Sequence, residues 1–169
     1  MSKTQQITRI ALYTALALIL SYVEALVPIP IPIPGIKLGL PNVMILFALQ
    51  TLNTASAFLI LIFRILLSGF LFGSMSSILY ALSGGILSFI GMTVLCRYRD
   101  RLSLSFLSIS IAGAVLHNTG QLITASLVVQ NAHLFLSYAP ILLIAALITG
   151  GITGIIDQLL IKYLHIHKL

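Results

Sequence analysis

Long apolar runs broken by short polar or proline-rich stretches set the plan of this chain. Runs at 4–27, 55–72, 74–96, 103–129 and 138–164 are each long enough, at about 1.5 Å per helical residue, to approach or exceed the roughly 30 Å hydrocarbon core of a bilayer. A sixth run at 40–52 is shorter, roughly a dozen residues and about 18 Å by the same rise. Irregular backbone entering so short a helix is tolerated only where it lines a cavity or packs on protein. Between the first two runs, Pro28, Pro30, Pro32 and Pro34 alternate with isoleucine and end at Gly35, so an extended, polyproline-like loop is expected over one mouth of the bundle. Pro41 suits the first turn of helix 2, and Gln130 to Ser137, containing His133, read as a loop.

Small residues recur at helical spacing. Ala11 and Ala15 form a small-xxx-small pair on helix 1. Ser77, Ala81, Gly84, Ser88 and Gly91 make a stripe on helix 4, and Ala146, Gly150 and Gly154 make another on helix 6, beside Thr149, Thr153 and Asp157. Such stripes let helix backbones approach closely.

Composition confirms the class. The chain is 59% hydrophobic and only 7% charged, with a mean hydropathy of +1.14, whereas soluble domains carry about 25% charged residues. The expected fold is all-α: a single polytopic membrane domain, a six-transmembrane-helix bundle. The net charge of +6 is not a nucleic-acid signal, because the charges fall at helix ends. An N-terminus in the cytoplasm puts Lys3, Arg9, Arg97, Arg99, Arg101, Lys162 and Lys168 inside, with both termini cytoplasmic and Lys37 the one basic residue of an outer loop. Tyr22, Val23 and Glu24 do not make a signal-peptide cleavage site, so helix 1 is read as retained.

Against this background the pentapeptide His117-Asn-Thr-Gly-Gln121 stands out in an uncharged run from Leu102 to Gln130. His117 and Gln121 lie one turn apart, and Asn118 within about 100° of both, so they are expected to share a face. Polar side chains at that depth mark a functional site, or else glue helices together. Arg64, with Ser68 one turn later, sits at similar depth on helix 3. A pocket open to the outside would then be lined by Lys37, Asn42, Arg64, Ser68, His117, Asn118 and Gln121, with Glu24 at its rim. Lys37, Arg64 and the N-terminus of helix 2 favour an anionic group; the alternative is that Arg64 pairs with Glu24 and the site is neutral.

Enzymatic readings lack their residues. The chain has only 3 acidic side chains, far apart, whereas a magnesium-dependent diphosphate enzyme needs clustered carboxylates. His165 and His167 face different directions on a helix end, and Cys96 is alone, so no metal site, cofactor or catalytic residue is expected. Without a GxxxxGK[ST] loop the chain does not hydrolyse ATP by itself.

Lys37-Leu-Gly-Leu-Pro-Asn42, Arg64 with Leu-Leu-Ser-Gly69, Ser83-Gly-Gly85 and His117-Asn-Thr-Gly-Gln121 resemble the Gx transporter family, also labelled heptaprenyl diphosphate synthase component I, over most of the chain. Size, helix number and the Ala11/Ala15 pair are also similar to the S components of energy-coupling-factor (ECF) importers. That resemblance implies a multi-pass protein of a bacterial cytoplasmic membrane that binds a small ligand beneath the loop joining helices 1 and 2. It further implies docking through Ala11 and Ala15 onto a membrane coupling subunit served by two cytosolic ATPases. The synthase label implies instead an accessory subunit in menaquinone side-chain synthesis, and an isoprenoid or quinone precursor as ligand would reconcile the two. Besides that ligand and those subunits, membrane lipid is the other expected partner, and nucleic acid is not one.

Overall fold

A computed structural model describes residues 2–26 and 37–164. The proline-rich loop and the tail with His165, His167 and Lys168 lie outside the described residues, as does any reading placed on them. The described residues form α1 (Lys3–Leu26), α2 (Asn42–Thr51), α3 (Thr54–Phe72), α4 (Met75–Arg97), α5 (Phe106–Val129) and α6 (Ala132–Tyr163), with no strand among them. All but α2 are long and apolar enough to cross a membrane. The fold is an all-α membrane bundle.

Helix ends follow local chemistry. Asn53, Ser74 and Ser105 cap α3, α4 and α5 through their side chains, Ser74 within a reciprocal capping box with Ser77. These caps set α5 to begin at Phe106 rather than near Ser103. Pro41 occupies the N-cap of α2, not its first turn, and α2 is only 10 residues long. The expected loop before α6 shrinks to Gln130 and Asn131. Gln130 takes a left-handed conformation, and Asn131 caps α6 by accepting the amide of His133, so His133 lies in the first turn of that helix. Pro140 is accommodated inside α6, which therefore begins at Ala132 and not near Tyr138.

Contacts fix the directions. Gln6 meets Ser56 at one end while Tyr22 meets Phe72 at the other, so α1 and α3 run parallel. Gly84 packs on His117 and Gln121, and Gly91 on Leu116, so α4 and α5 run antiparallel. Gly150 meets Ala114, Gly154 meets Leu107, and the Ser110 and Thr153 hydroxyls are 2.8 Å apart, so α5 and α6 are also antiparallel. The small-residue stripes of α4 and α6 therefore both face α5, where a Cβ on Gly84 would fall 2.5 Å from the His117 carbonyl oxygen. It follows that Lys3, Arg9, Arg97, Arg99, Arg101 and Lys162 all gather at one end of the bundle.

The short α2 fills the middle. Asn42 to Ala48 and Gln50 are all buried, as a helix apolar on every side must be. At its far end the Gln50 amide donates to Asp157 of α6, a fully buried carboxylate, at 2.6 Å.

Candidate functional site

The site lies where α2 begins, between α3, α4 and α5, under residues 37–41. Gly39 makes the geometry feasible: its φ of +88° is one that residues with a side chain rarely adopt, and a Cβ there would stand 2.9 Å from the Asn42 amide nitrogen and 3.0 Å from the His117 ring. The segment thus lies directly on His117.

Glu24, in the last turn of α1, fastens this segment. Its Oε1 accepts hydrogen bonds from the Gly39 and Leu40 amides. The carboxylate is 2% exposed, which corrects its expected place at a solvent rim. Its charge is met by those two amides and, at longer range, by Arg64 and Lys37, but among the described residues no carboxylate lies within ion-pairing distance of the Arg64 guanidinium.

Arg64 is 3% exposed. Its Nη2 donates to Asn42 Oδ1 at 3.2 Å, while Arg64 Nε and Asn42 Nδ2 have no hydrogen-bond partner among the described residues. Buried donors are thus in excess here, and a buried charge that no carboxylate touches is costly.

On α5, a chain of bonds fixes side-chain chemistry. The Lys37 amide donates to Gln121 Oε1 at 3.0 Å, so the other end of that carboxamide is its NH2. It lies 2.7 Å from His117 Nε2, and an NH2 can only donate, so His117 Nε2 is the acceptor. The imidazole is therefore neutral, with its proton on Nδ1, the nitrogen that lies against Gly84. The Lys37 amine points elsewhere, 5.6 Å above the Phe72 ring. Burial lowers its pKa from 10.5; Glu24 opposes this shift and Arg64 adds to it.

The structure thus brings Asn42, Arg64, His117, Gln121 and the backbone of Lys37 together. Two expected members stand apart. Ser68 spends its hydroxyl on the Ile65 carbonyl of its own helix, and Asn118 turns to α6, donating to the Leu142 carbonyl at 2.9 Å. The sequence reading missed Gly39 and the fastening role of Glu24. The signal for both was present: a glycine just before Leu-Pro, and a lone acid in the outer half of an apolar helix. The described residues hold no group of His, Cys, Asp and Glu able to bind a metal.

Away from this site, an apolar groove of about 400 Å³ runs between α1 and α3, lined by Ala11, Thr14, Ala15, Leu18, Phe63 and Leu67, among others.

These features define a multi-pass helical membrane protein with a buried, donor-rich polar site near one end. The sequence pattern of the family described as heptaprenyl diphosphate synthase component I matches residues 13–160, and the chain belongs to that family. No curated protein and no solved structure matches it.

Proposed function

We propose that this chain is the substrate-binding membrane subunit, the S component, of an ECF-type importer of a bacterial cytoplasmic membrane, and that it captures a small anionic ligand from outside. The observation that carries the reading is the Arg64 guanidinium, buried without a carboxylate at ion-pairing distance and beside a second unmet donor on Asn42. An arriving carboxylate or phosphate satisfies both. Lys37 adds positive charge nearby, and the neutral His117–Gln121 pair supplies further polar contacts. The ligand is neither metal nor nucleic acid, and the chain itself is not an enzyme: it provides recognition, and a partner provides energy.

The groove holding Ala11 and Ala15 supports docking on a coupling membrane subunit that works with two cytosolic ATPases. Its apolar floor and small side chains suit close approach of another helix. The test is affinity purification of the native chain from its own membranes, with mass spectrometry of proteins and bound small molecules. Recovery of paired ATPases and a coupling subunit, lost on Ala15→Trp, is the expected result; Ala15→Trp should leave ligand content unchanged.

The family description favours one second reading, an accessory membrane subunit of a heptaprenyl diphosphate synthase. Under it the same purification recovers a soluble prenyltransferase, and adding this chain to that enzyme raises its activity.

A further inference from the structure

Away from the Arg64 site, the end of the bundle where basic residues gather carries unmet charge of its own. On α4, Ile90 and Val94 are exposed, and so are Tyr98 and Leu102 just beyond its end. Side chains four residues apart share a helix face, so the exposed α4 residues form an apolar ridge against lipid. The ridge outruns the helix: past Arg97, the last residue of α4, the Leu102 amide donates to the Tyr98 carbonyl at 3.0 Å and closes one more turn. Tyrosine at such a point marks the headgroup layer. Arg97 and Arg101 each directly precede a residue of this last stretch, so both are rooted along its border.

The arginines of this loop are not equivalent. Arg99 is engaged within the chain, 3.3 Å from the Asp100 carboxylate and with its guanidinium 4.6 Å from the Phe106 ring centroid. Arg97 and Arg101 are exposed, and among the described residues no carboxylate pairs with either. The chain has only 3 acidic side chains to offer. Glu24 is buried at the other end of α1, Asp157 is buried inside the bundle, and Asp100 is taken by Arg99. Neutralisation must come from outside the chain, and the ridge fixes the direction: arginines rooted beside lipid-covered side chains meet lipid phosphates first. Residues one helical turn apart have Cβ atoms roughly 6 Å apart, a span that two guanidiniums can close on one phosphate. We propose that Arg97 and Arg101 together hold the phosphate of an anionic phospholipid, whose acyl chains lie along Val94 and Ile90.

The full chain, stripped of lipid in detergent and titrated under native mass spectrometry, tests this. The probes are dioleoyl-phosphatidylglycerol, dioleoyl-phosphatidylcholine, and glycerophosphoglycerol, which is the anionic headgroup without acyl chains. The expected result is that phosphatidylglycerol is retained about thirtyfold more tightly than phosphatidylcholine, about fivefold for each arginine, and that glycerophosphoglycerol is not retained. Arg97→Gln with Arg101→Gln should bring the two lipids level. Lys3→Gln with Arg9→Gln removes as much charge from the same end, on a helix without substantial contact with α4, and should leave the preference in place. Equal retention of the two lipids by the native chain would overturn the proposal, as would a preference that survives the paired arginine change or falls equally with Lys3→Gln and Arg9→Gln. Glycerophosphoglycerol bound as tightly as the lipid would overturn it too, by making the pair a site for a water-borne anion.

Discussion

Replacing Arg64 by methionine separates a ligand site from a structural ion pair, because the two give opposite signs. Methionine keeps an unbranched chain of similar reach and removes the charge. In the free protein the substitution forfeits one charge-assisted hydrogen bond, to Asn42 Oδ1 at 3.2 Å, a loss of about 1.5–3 kcal/mol. It also removes the burial penalty of a guanidinium that is 3% exposed, roughly several kcal/mol per ion. The second effect equals or exceeds the first, so Arg64→Met should leave the unfolding temperature of the ligand-free protein unchanged or raised. Stabilisation by ligand should vanish; at 100 times Kd this amounts to about 2.7 kcal/mol in the native chain. The assay is thermal unfolding in detergent of protein stripped of small molecules, repeated after incubation with the compounds recovered from the native protein. If Arg64→Met instead costs the free protein about 3–5 kcal/mol, the loss expected on breaking a buried ion pair, the guanidinium is a structural partner of Glu24 and the ligand argument fails.

Gly39→Ala meets both a φ of +88° and the 2.9 Å approach to Asn42, and should cost about 1–2 kcal/mol while weakening retention of bound small molecules on gel filtration. Gly84→Ala places a methyl 2.5 Å from the His117 carbonyl oxygen and should cost about 1–3 kcal/mol, read as a lower unfolding temperature; an unchanged temperature would mean that α4 and α5 are not in close contact. The pH dependence of anion binding reports Lys37: the ammonium form contributes at pH values below its pKa and is lost as pH rises through it. Burial sets that pKa below 10.5, so affinity should begin to fall at lower pH than for an ordinary lysine, and Lys37→Met should flatten the profile measured by equilibrium dialysis.

Much of this architecture is legible in the sequence because bilayer physics leaves few options. Unbroken apolar runs must be helices, and glycine and serine stripes must meet other helices, as Gly84 and Gly91 meet α5 and Gly150 and Gly154 do from the other side. Helix boundaries were harder, since one serine or asparagine cap decides them: Ser105 and Asn131 set the starts of α5 and α6. The candidate site was legible as a set of residues but not as an arrangement. Helical periodicity puts His117, Asn118 and Gln121 on one broad face, yet α5 is enclosed by α4 on one side and α6 on the other. A rotation of about 100° between neighbouring residues is enough to send Asn118 to Leu142 and the others to the Gly39 segment. Glu24 was misplaced because unpaired charge is expected to seek water; two loop amides meet the carboxylate inside the bundle instead.

On the import reading, the position of α1 connects the two surfaces that such a protein must coordinate. The helix packs on α2 and α3, without substantial contact with α4, α5 or α6, whereas the latter three are locked by glycine contacts along their lengths. One face of α1 carries Ala11 and Ala15 in an open groove. Its last turn carries Glu24, whose carboxylate holds Gly39 and Leu40 down over His117. A partner that tilts α1 by occupying the groove therefore also pulls on the roof of the Arg64 site, because a helix of 24 residues transmits displacement along its axis as a rod. The clamp on the ligand and the lever that would release it are then two stretches of the same helix, and the most loosely packed long helix is the one on which import would act.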